Sequence, residues 1–538
     1  MAKSKKRRQR GKVMNQRAFG YSEAGASTTK RSMRDFNELS ASPARDIDDN
    51  NETLRQRARM LYMGAPIATS AIRTVRTNAV GEGLKPKPRP DRDVLNMTQE
   101  DAQAWVKHVQ REWALWAEDK RACDATGVNT FYELQQLAMQ SWLMSGDVFA
   151  VIKRRKPQIM RPYGMRLHLV EADRIATPMR YSTRVPGEYS TGIDEKTHNK
   201  IFDGVEINSD GEIVAYHIRK GYPSEWTVDG EDFTRVLAVG KRTGLPNVLH
   251  IMESERPDQY RGVSYLAQVI EPLLQLRRYT SSELTAAVVE SFFTAFVTVE
   301  GAESNPFNET GMGLVGIDGE DEEISRDPDE YEMGPGQVNF LEPGEGITFA
   351  DPKRPSSGFE SFMVAMCKQV GAALEIPGEL LLKTFNSSYS ASRAALMEAW
   401  KAFRMRRGWF VQDFCQPVWE IWLSEAIAKG RVQAPGFFND PIIHAAYLGC
   451  EWIGPSQGQL DPTKEIAAEV SAIAEGITTR EAATIRLNGS SWDENMDRLE
   501  HESARMRQLQ SVGEPDIESR SNDDASTASE NERIEDNA

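Results

Sequence analysis

Two long helical stretches that flank an acidic, glycine- and proline-rich insert constrain this chain more than any other feature. Tyr265 to Val299 holds one proline, Pro272, and reads as a helix of about 35 residues, on the order of 50 Å long. Residues 302–350 then carry thirteen acids against one base, Arg326. Phe359 to Ile376 reads as a second helix, stopped by Pro377. Two helices around such an insert make an odd layout for one globular core. The layout becomes sensible if the helices pack sideways against copies of themselves in a ring.

The chain before this unit mixes helix and strand. Thr53 to Val80 has helical spacing interrupted by Pro66, which predicts two helices, stopped by Gly81 and Gly83. In Gln99 to Asp119, the residues Trp105, Val109, Trp113 and Trp116 share one helical face. Asn129 to Met144 is another helix. Short β-rich runs follow at Val148–Ile152, Leu167–Val170, Val205–Ile207, Ile213–Ile218 and Val236–Val239, with a hairpin signal at Asn208-Ser209-Asp210-Gly211. Within the acidic insert, Val338–Leu341 and Ile347–Phe349 are strand candidates. After the insert, Ala391 to Lys429 reads as a long helix with a kink at Pro417. Leu460 to Gln508 is largely helical, broken at Asn488-Gly489. The aromatic stripes read as core. The fold class expected is α+β, mainly helical.

Charge is distributed unevenly. The total is 65 − 80 = −15, which speaks against tight duplex wrapping. Residues 1–34 nevertheless carry eleven Lys/Arg against Glu23, and the tail from Ser511 carries nine acids against Arg520 and Arg533. Both ends read as disordered. The N-terminus lacks the apolar stretch of a secretory signal. The most apolar run, Thr285 to Val299, is too short to span a bilayer and contains Glu290. The expectation is a soluble, cytosol-made protein with no membrane partner.

Chemistry is scarce. Cys123, Cys367, Cys415 and Cys450 contain no C-x-x-C spacing, and the seven histidines form no metal-ligand pair. Scattered thiols suit a reducing compartment. Gly240-Lys241-Arg242-Thr243 lacks the first glycine and the Ser/Thr of a phosphate loop. Gly454-Pro455-Ser456-Gln457-Gly458 has the letters of a nucleophile elbow, but it sits in a polar, turn-like stretch. Asp318-Gly319-Glu320-Asp321-Glu322-Glu323 lacks the alternating ligand spacing of a calcium loop. No catalytic residue, cofactor or metal is expected.

Several motifs occur in order. They include Gly20 to Ala26, Ser42 to Asp48, Val80-Gly81-Glu82-Gly83-Leu84, and His250 through Arg256-Pro257-Asp258-Gln259-Tyr260-Arg261-Gly262-Val263. Ile376-Pro377-Gly378-Glu379-Leu380-Leu381 and Phe385-Asn386-Ser387-Ser388-Tyr389-Ser390-Ala391-Ser392-Arg393 follow. Pro435-Gly436-Phe437-Phe438, Trp452-Ile453-Gly454-Pro455 and Asp461-Pro462-Thr463-Lys464-Glu465 complete the set. From about residue 20 to about 500, the chain resembles the portal proteins of lambda-like tailed bacteriophages.

The resemblance implies a ring, usually of twelve subunits, at one capsid vertex. Double-stranded DNA is packaged and ejected through its channel. Implied partners are the terminase large subunit, major capsid and scaffold proteins, and head-completion or connector proteins. The implied division is a basic arm at 1–40, a wing at 41–258, a first stem helix at 259–300, a clip at 301–352 and a second stem helix at 353–378. A channel loop at 379–392, a long helix returning to the wing at 393–459, a crown at 460–508 and an acidic tail at 509–538 follow. The implied location is the capsid portal vertex, after assembly in the host cytoplasm.

The DNA-channel loop would comprise Lys383, Thr384, Asn386, Ser387, Ser388, Tyr389, Ser390 and Arg393, whose small polar groups can touch phosphates without reading sequence. Ser390 equally suits an ordinary helix N-cap. The clip acids Asp318, Glu320, Asp321, Glu322, Glu323, Asp327, Asp329 and Glu330 would either line the bore and repel DNA or face outward, toward solvent or a basic motor surface. The basic arm would meet DNA, scaffold or capsid interior, or stay solvated. Competing classes are a virion-associated hydrolase or nuclease, which needs a clustered acid/base or metal site, and a non-channel oligomeric scaffold.

Overall fold

The tryptophan face of the Gln99–Ala117 helix seeds the core. Thr98 caps this helix through its hydroxyl, which accepts from the Asp101 amide at 3.1 Å. Trp105, Val109, Trp113 and Trp116 are all buried, as their spacing predicts. Trp113 stands at the centre of the cluster, with ring centroids 5.0 Å from Trp116, 5.2 Å from Phe131, 5.3 Å from Trp419 and 5.0 Å from Trp422. Such pairs add about 0.5–1.5 kcal/mol each beyond simple area burial. Phe131 opens the Phe131–Ser145 helix behind a capping box of Thr130 and Glu133.

In this computed structural model the described residues are 26, 31–33, 40–178, 181, 191–223, 233–292, 296–299, 345–348, 358–385, 388–458 and 461–513. Among them helix predominates over sheet, so the class is α+β, mainly helical. Pro66 divides the first helical stretch into Asp49–Gly64 and Pro66–Ala79, as predicted. Three antiparallel strands follow in the order Met165–Glu171, Asp147–Arg154, Val248–Met252. A five-stranded antiparallel meander runs from Thr191–Ile193 to Phe233–Leu237. Its hairpin at Asn208–Gly211 forms where predicted: Gly211 has φ +85°, and Asn208 Oδ1 accepts from the amides of Asp210 and Glu212.

The first long helix is shorter than expected. It spans Ile270–Phe292, and Phe296–Val299 is a strand paired antiparallel with Glu345–Thr348. The sequence Phe-Val-Thr-Val is aromatic and β-branched, so strand preference overrides the apparent helical run. Val338–Leu341 and all eight clip acids named above lie outside the described residues.

The second helix is Phe359–Ala373, and it packs beside the first: Tyr279 sits 5.5 Å from Phe359 and 5.2 Å from Phe362. The long helix after it begins at Tyr389 and continues to Ala428 through a π turn at Val411–Cys415. The expected irregularity at Pro417 takes the form of that turn, which adjusts the backbone just before a residue with no N–H to donate.

The C-terminal helices are Pro462–Ala474, Arg480–Asn488 and Trp492–Gly513. Gly489, with φ +72°, makes the predicted break. A ribbon of Lys85–Pro88 with Cys450–Ile453 was not predicted. Its Lys-Pro-Lys-Pro sequence argues against a strand, but prolines two apart put their missing N–H on one side of the chain only.

Candidate functional site

The segment from Ile376 to Arg393 is built as a polar loop on a clamped base. Gly371, in the last turn of Phe359–Ala373, lets the Ile376 amide reach the Gly371 carbonyl at 2.9 Å; a Cβ there would lie 2.4 Å from the Ile376 oxygen. Pro377 then starts the short helix Gly378–Leu382. Its Leu381 side chain is buried, and the Ser70 hydroxyl donates to the Leu381 carbonyl at 2.9 Å. Ser392 Oγ donates to Glu379 Oε2 at 3.0 Å, tying the start of the long helix to the short one.

Between these ties the chain turns outward. Lys383 ends the short helix in the left-handed conformation, φ +57°, and its Nζ lies 3.5 Å from Thr74 Oγ1. Lys383, Thr384 and Phe385 are exposed. Asn386 and Ser387 lie outside the described residues. The N-cap position belongs to Ser388, not Ser390; Ser390 is in the first turn of the helix that Tyr389 opens. The Ser388 side chain makes no capping bond, and its Oγ is 3.4 Å from that of Ser390. Arg393 is engaged by Glu465 at 3.5 Å. Lys383, Thr384 and Ser388 are therefore exposed on one loop, Ser390 is exposed in the first turn of the helix beside it, and Arg393 sits further along that helix with its charge answered. Glu379 and Ser392 fall within the expected loop at 379–392, but their bond to each other and the tie from Ser70 were not foreseen. The carboxylate inside Pro-Gly-Glu-Leu, thirteen residues before Ser392, was their only signal.

A second construction roots the first long helix. Asp147, fully buried, accepts from Arg261 Nε at 2.7 Å and from the Gly262 amide at 3.1 Å, with His250 Nε2 at 3.4 Å and Arg55 Nη2 at 3.9 Å. Arg261, also fully buried, donates to the carbonyls of Ile175 and Ala172 at 3.0 Å and pairs with Asp203 at 2.5 Å. Burial alone would raise the Asp147 pKa, but the Arg261 and Arg55 guanidiniums hold it well below the usual carboxylate range. Burial, reinforced by Asp203, pushes nearby Asp48 up to about 7. Gly262 lies against Gly146 so closely that a Cβ would sit 1.9 Å from the Gly146 oxygen. The Tyr265 hydroxyl donates to the Leu374 carbonyl, and Arg406 lies 4.8 Å from the Tyr265 ring while donating to Glu375 at 2.6 Å. The roots of both helices and the loop base are thereby joined.

Other sequence motifs meet in space. Arg407 donates to the carbonyls of Ala79 at 2.7 Å, Asn78 at 2.9 Å and Pro455 at 2.8 Å, bringing Val80–Leu84 against Trp452–Pro455. Burial pulls its pKa down to about 10. Arg256 bonds Asp46 and the Ala41 carbonyl, joining two further motifs. Among the described residues Ser456 Oγ reaches only the Leu487 carbonyl, at 3.4 Å, and Gly240–Gly244 is a plain turn. Among the described residues no group of three metal-ligating side chains occurs, and no helix is long and apolar enough to cross a membrane.

Comparison with known proteins identifies the family. The family described as "Phage portal protein, lambda family" matches residues 29–407. Portal protein B of Escherichia phage lambda is 24% identical over 480 residues, covering 86% of this chain and 85% of that protein. The portal protein of Escherichia phage N15 is 23% identical, covering 84% and 83%. Among solved structures, the neck of a native GTA particle computed with C12 symmetry gives a TM-score of 0.40 at 14% identity, covering 81% of this chain and 94% of that one. The neck of an empty GTA particle computed with C6 symmetry gives 0.43 at 14% identity, covering 82% and 94%. The chain belongs to the lambda family of phage portal proteins, which are structural proteins and not enzymes.

Proposed function

We propose that copies of this chain close into a ring, of twelve subunits, at one vertex of a phage capsid, and that double-stranded DNA is packaged and later ejected through its channel. In this reading residues 41–258 form the wing, 259–300 and 353–378 the two stem segments, 301–352 the clip, 379–392 the channel loop and 460–508 the crown. The clip would dock the terminase large subunit and afterwards the head-completion proteins. Capsid and scaffold proteins would surround the wing.

One observation carries the ring. On the Ile270–Phe292 helix, Leu273 and Leu276 are 1% and 4% exposed, whereas Leu284 and Val288 further along are 66% and 47% exposed. Phe362, on the partner helix, is 48% exposed. An apolar stripe that continues past the chain's own core calls for cover, and neighbouring copies of the same helix pair would supply it.

Negative-stain imaging of the purified protein tests this. Closed rings with a central hole about the width of duplex DNA are expected. The double variant Leu284→Asp/Val288→Asp should keep its melting temperature as a subunit but fail to form rings. Assemblies without a hole, or unchanged rings from the variant, would overturn the reading.

A further inference from the structure

Away from the loop and the helix roots, a cleft of about 510 Å³ opens between the Lys120–Cys123 turn, the loop after it and the neck of the hairpin that joins Asp147–Arg154 to Met165–Glu171. Its charged lining is Arg121, Arg155, Lys156, Arg161 and Arg166 against one acid, Asp124, a balance of 5 − 1 = +4 in a chain of net charge −15.

The lining is rigid. The Arg155 amide bonds the Gly164 carbonyl at 2.8 Å, and the Ala125 amide bonds the Leu167 carbonyl at 2.8 Å. Asp124 makes no ion pair with these cations among the described residues; its carboxylate accepts from the amides of Thr126, Val128 and Asn129 and from the Thr126 hydroxyl. Arg161 is answered by Asp119 at 2.6 Å, and Arg155 donates to the Ala125 carbonyl at 2.9 Å. Arg121 and Lys156 are exposed and have no ion pair among the described residues.

Arg166 is the telling member. It is 3% exposed. Its Nη1 donates to the Tyr163 and Met165 carbonyls, both at 2.8 Å, while its Nε is buried without a partner among the described residues. Among the described residues it forms no ion pair with a carboxylate. The acids that act on its charge are committed elsewhere: Asp119 to Arg161, and Glu425 to the amides of Gly164 and Met165 and to Lys429. Burial and then the neighbouring Arg155 pull its pKa down. A buried guanidinium normally has an anionic partner, and this one has only carbonyls.

We infer that this cleft is an oxyanion site that takes a phosphate group, with Arg166 as its floor and Arg121, Arg155 and Lys156 as its rim. Guanidinium forks and an ammonium suit the several acceptor oxygens of a phosphate. The shared chemistry fits inorganic phosphate or a backbone phosphate of DNA.

Isothermal titration of the full chain with inorganic phosphate, at ionic strength fixed with chloride, tests the site. Saturable binding is expected, weakened about tenfold or more in Arg121→Gln/Lys156→Gln. Both side chains are exposed, so that variant should melt like the wild type without phosphate. No heat beyond the chloride control, or equal binding by the variant, overturns the proposal. A duplex of about 20 base pairs separates the sources. If the duplex displaces phosphate and the variant lowers its log–log salt slope by about 2, as two phosphate contacts require, the ligand is a DNA backbone. If the duplex does not compete, the ligand is free phosphate.

Discussion

The Asp147–Arg261 hub and the Lys383–Ser390 loop are both made of polar side chains, yet they are built in opposite ways. In the hub, Asp147, Arg261 and Arg55 are withdrawn from water and bonded to one another. In the loop, Lys383, Thr384, Ser388 and Ser390 remain exposed, held by a few bonds at the base. The hub ties the segment that leads into the Ile270–Phe292 helix to the Asp147–Arg154 strand and the Asp49–Gly64 helix. The described polar side chains of the loop stay in contact with water. The two differ in burial: the hub's polar groups satisfy one another inside the fold, whereas those of the loop face solvent.

The sharpest way to break this contrast is to remove one hub charge. Asp147→Ala leaves Arg261 and Arg55 buried without their shared carboxylate. It should cost about 3–5 kcal/mol of stability, read by urea denaturation of the unassembled subunit. A loss below about 1 kcal/mol would mean that the hub is not structural.

A second test uses pH. Asp48 has a folded pKa raised to about 7 from its ordinary 3.8. Its contribution to stability is therefore fully present below pH 3.8 and lost as the pH rises toward 7, at up to about 1.4 kcal/mol per pH unit. Asp147 runs the other way, its contribution present above 3.8 and lost as the pH falls. Between pH 5 and 8 the Asp48 contribution falls as the pH rises, while that of His250, buried against Asp147 with its pKa held below the ordinary 6.5 by burial, grows as the pH rises toward 6.5. Asp48→Asn should remove the falling component, so that its stability rises relative to wild type across this window and is the greater at pH 8. An unchanged slope would place Asp48 outside the hub.

Gly262→Ala probes the same root without touching charge. The new methyl would meet the Gly146 carbonyl, so a loss of about 1–3 kcal/mol is expected. A melting temperature equal to wild type would show that the two backbones can separate freely.

These features were unequally legible in the sequence. The tryptophan face, the Pro66 break and the Asn-Ser-Asp-Gly hairpin rest on local spacing, and spacing survives into the fold. Arg261 was visible within a family-like motif, but its role was not, because Asp147 and Asp203 lie 114 and 58 residues away in sequence. An acid directly after Gly146, at the head of the apolar run Val148-Phe149-Ala150-Val151, was the one local clue. The end of the first long helix was misread because Phe296–Val299 is apolar enough for a helix, and its strand partner is Glu345–Thr348, across the acidic insert. In the loop, the residue types were readable. That Arg393 is answered by Glu465 was not, since that pairing depends on where the Pro462–Ala474 helix lands.

The smallest effect on stability should come from the loop, and there it carries the most meaning. Lys383→Ala and Arg393→Ala remove exposed or half-exposed charges whose contacts are long, 3.5 Å in both cases. Each should change subunit stability by less than about 1 kcal/mol and leave ring formation intact. The functional reading concerns what these charges do to moving DNA. A channel must pass the duplex without gripping it, because each phosphate neutralised by a fixed cation releases counterions and favours retention. Two weak cations per subunit, one of them already shared with a carboxylate, fit brief and replaceable contacts. Reversing both, Lys383→Glu/Arg393→Glu, should therefore alter packaging rate or packaged length in an in vitro packaging reaction, while ring yield and melting temperature stay near wild type. If rate and length both stayed at the wild-type value, the loop would be an exposed turn between helices, and its contrast with the hub would be one of solvation alone.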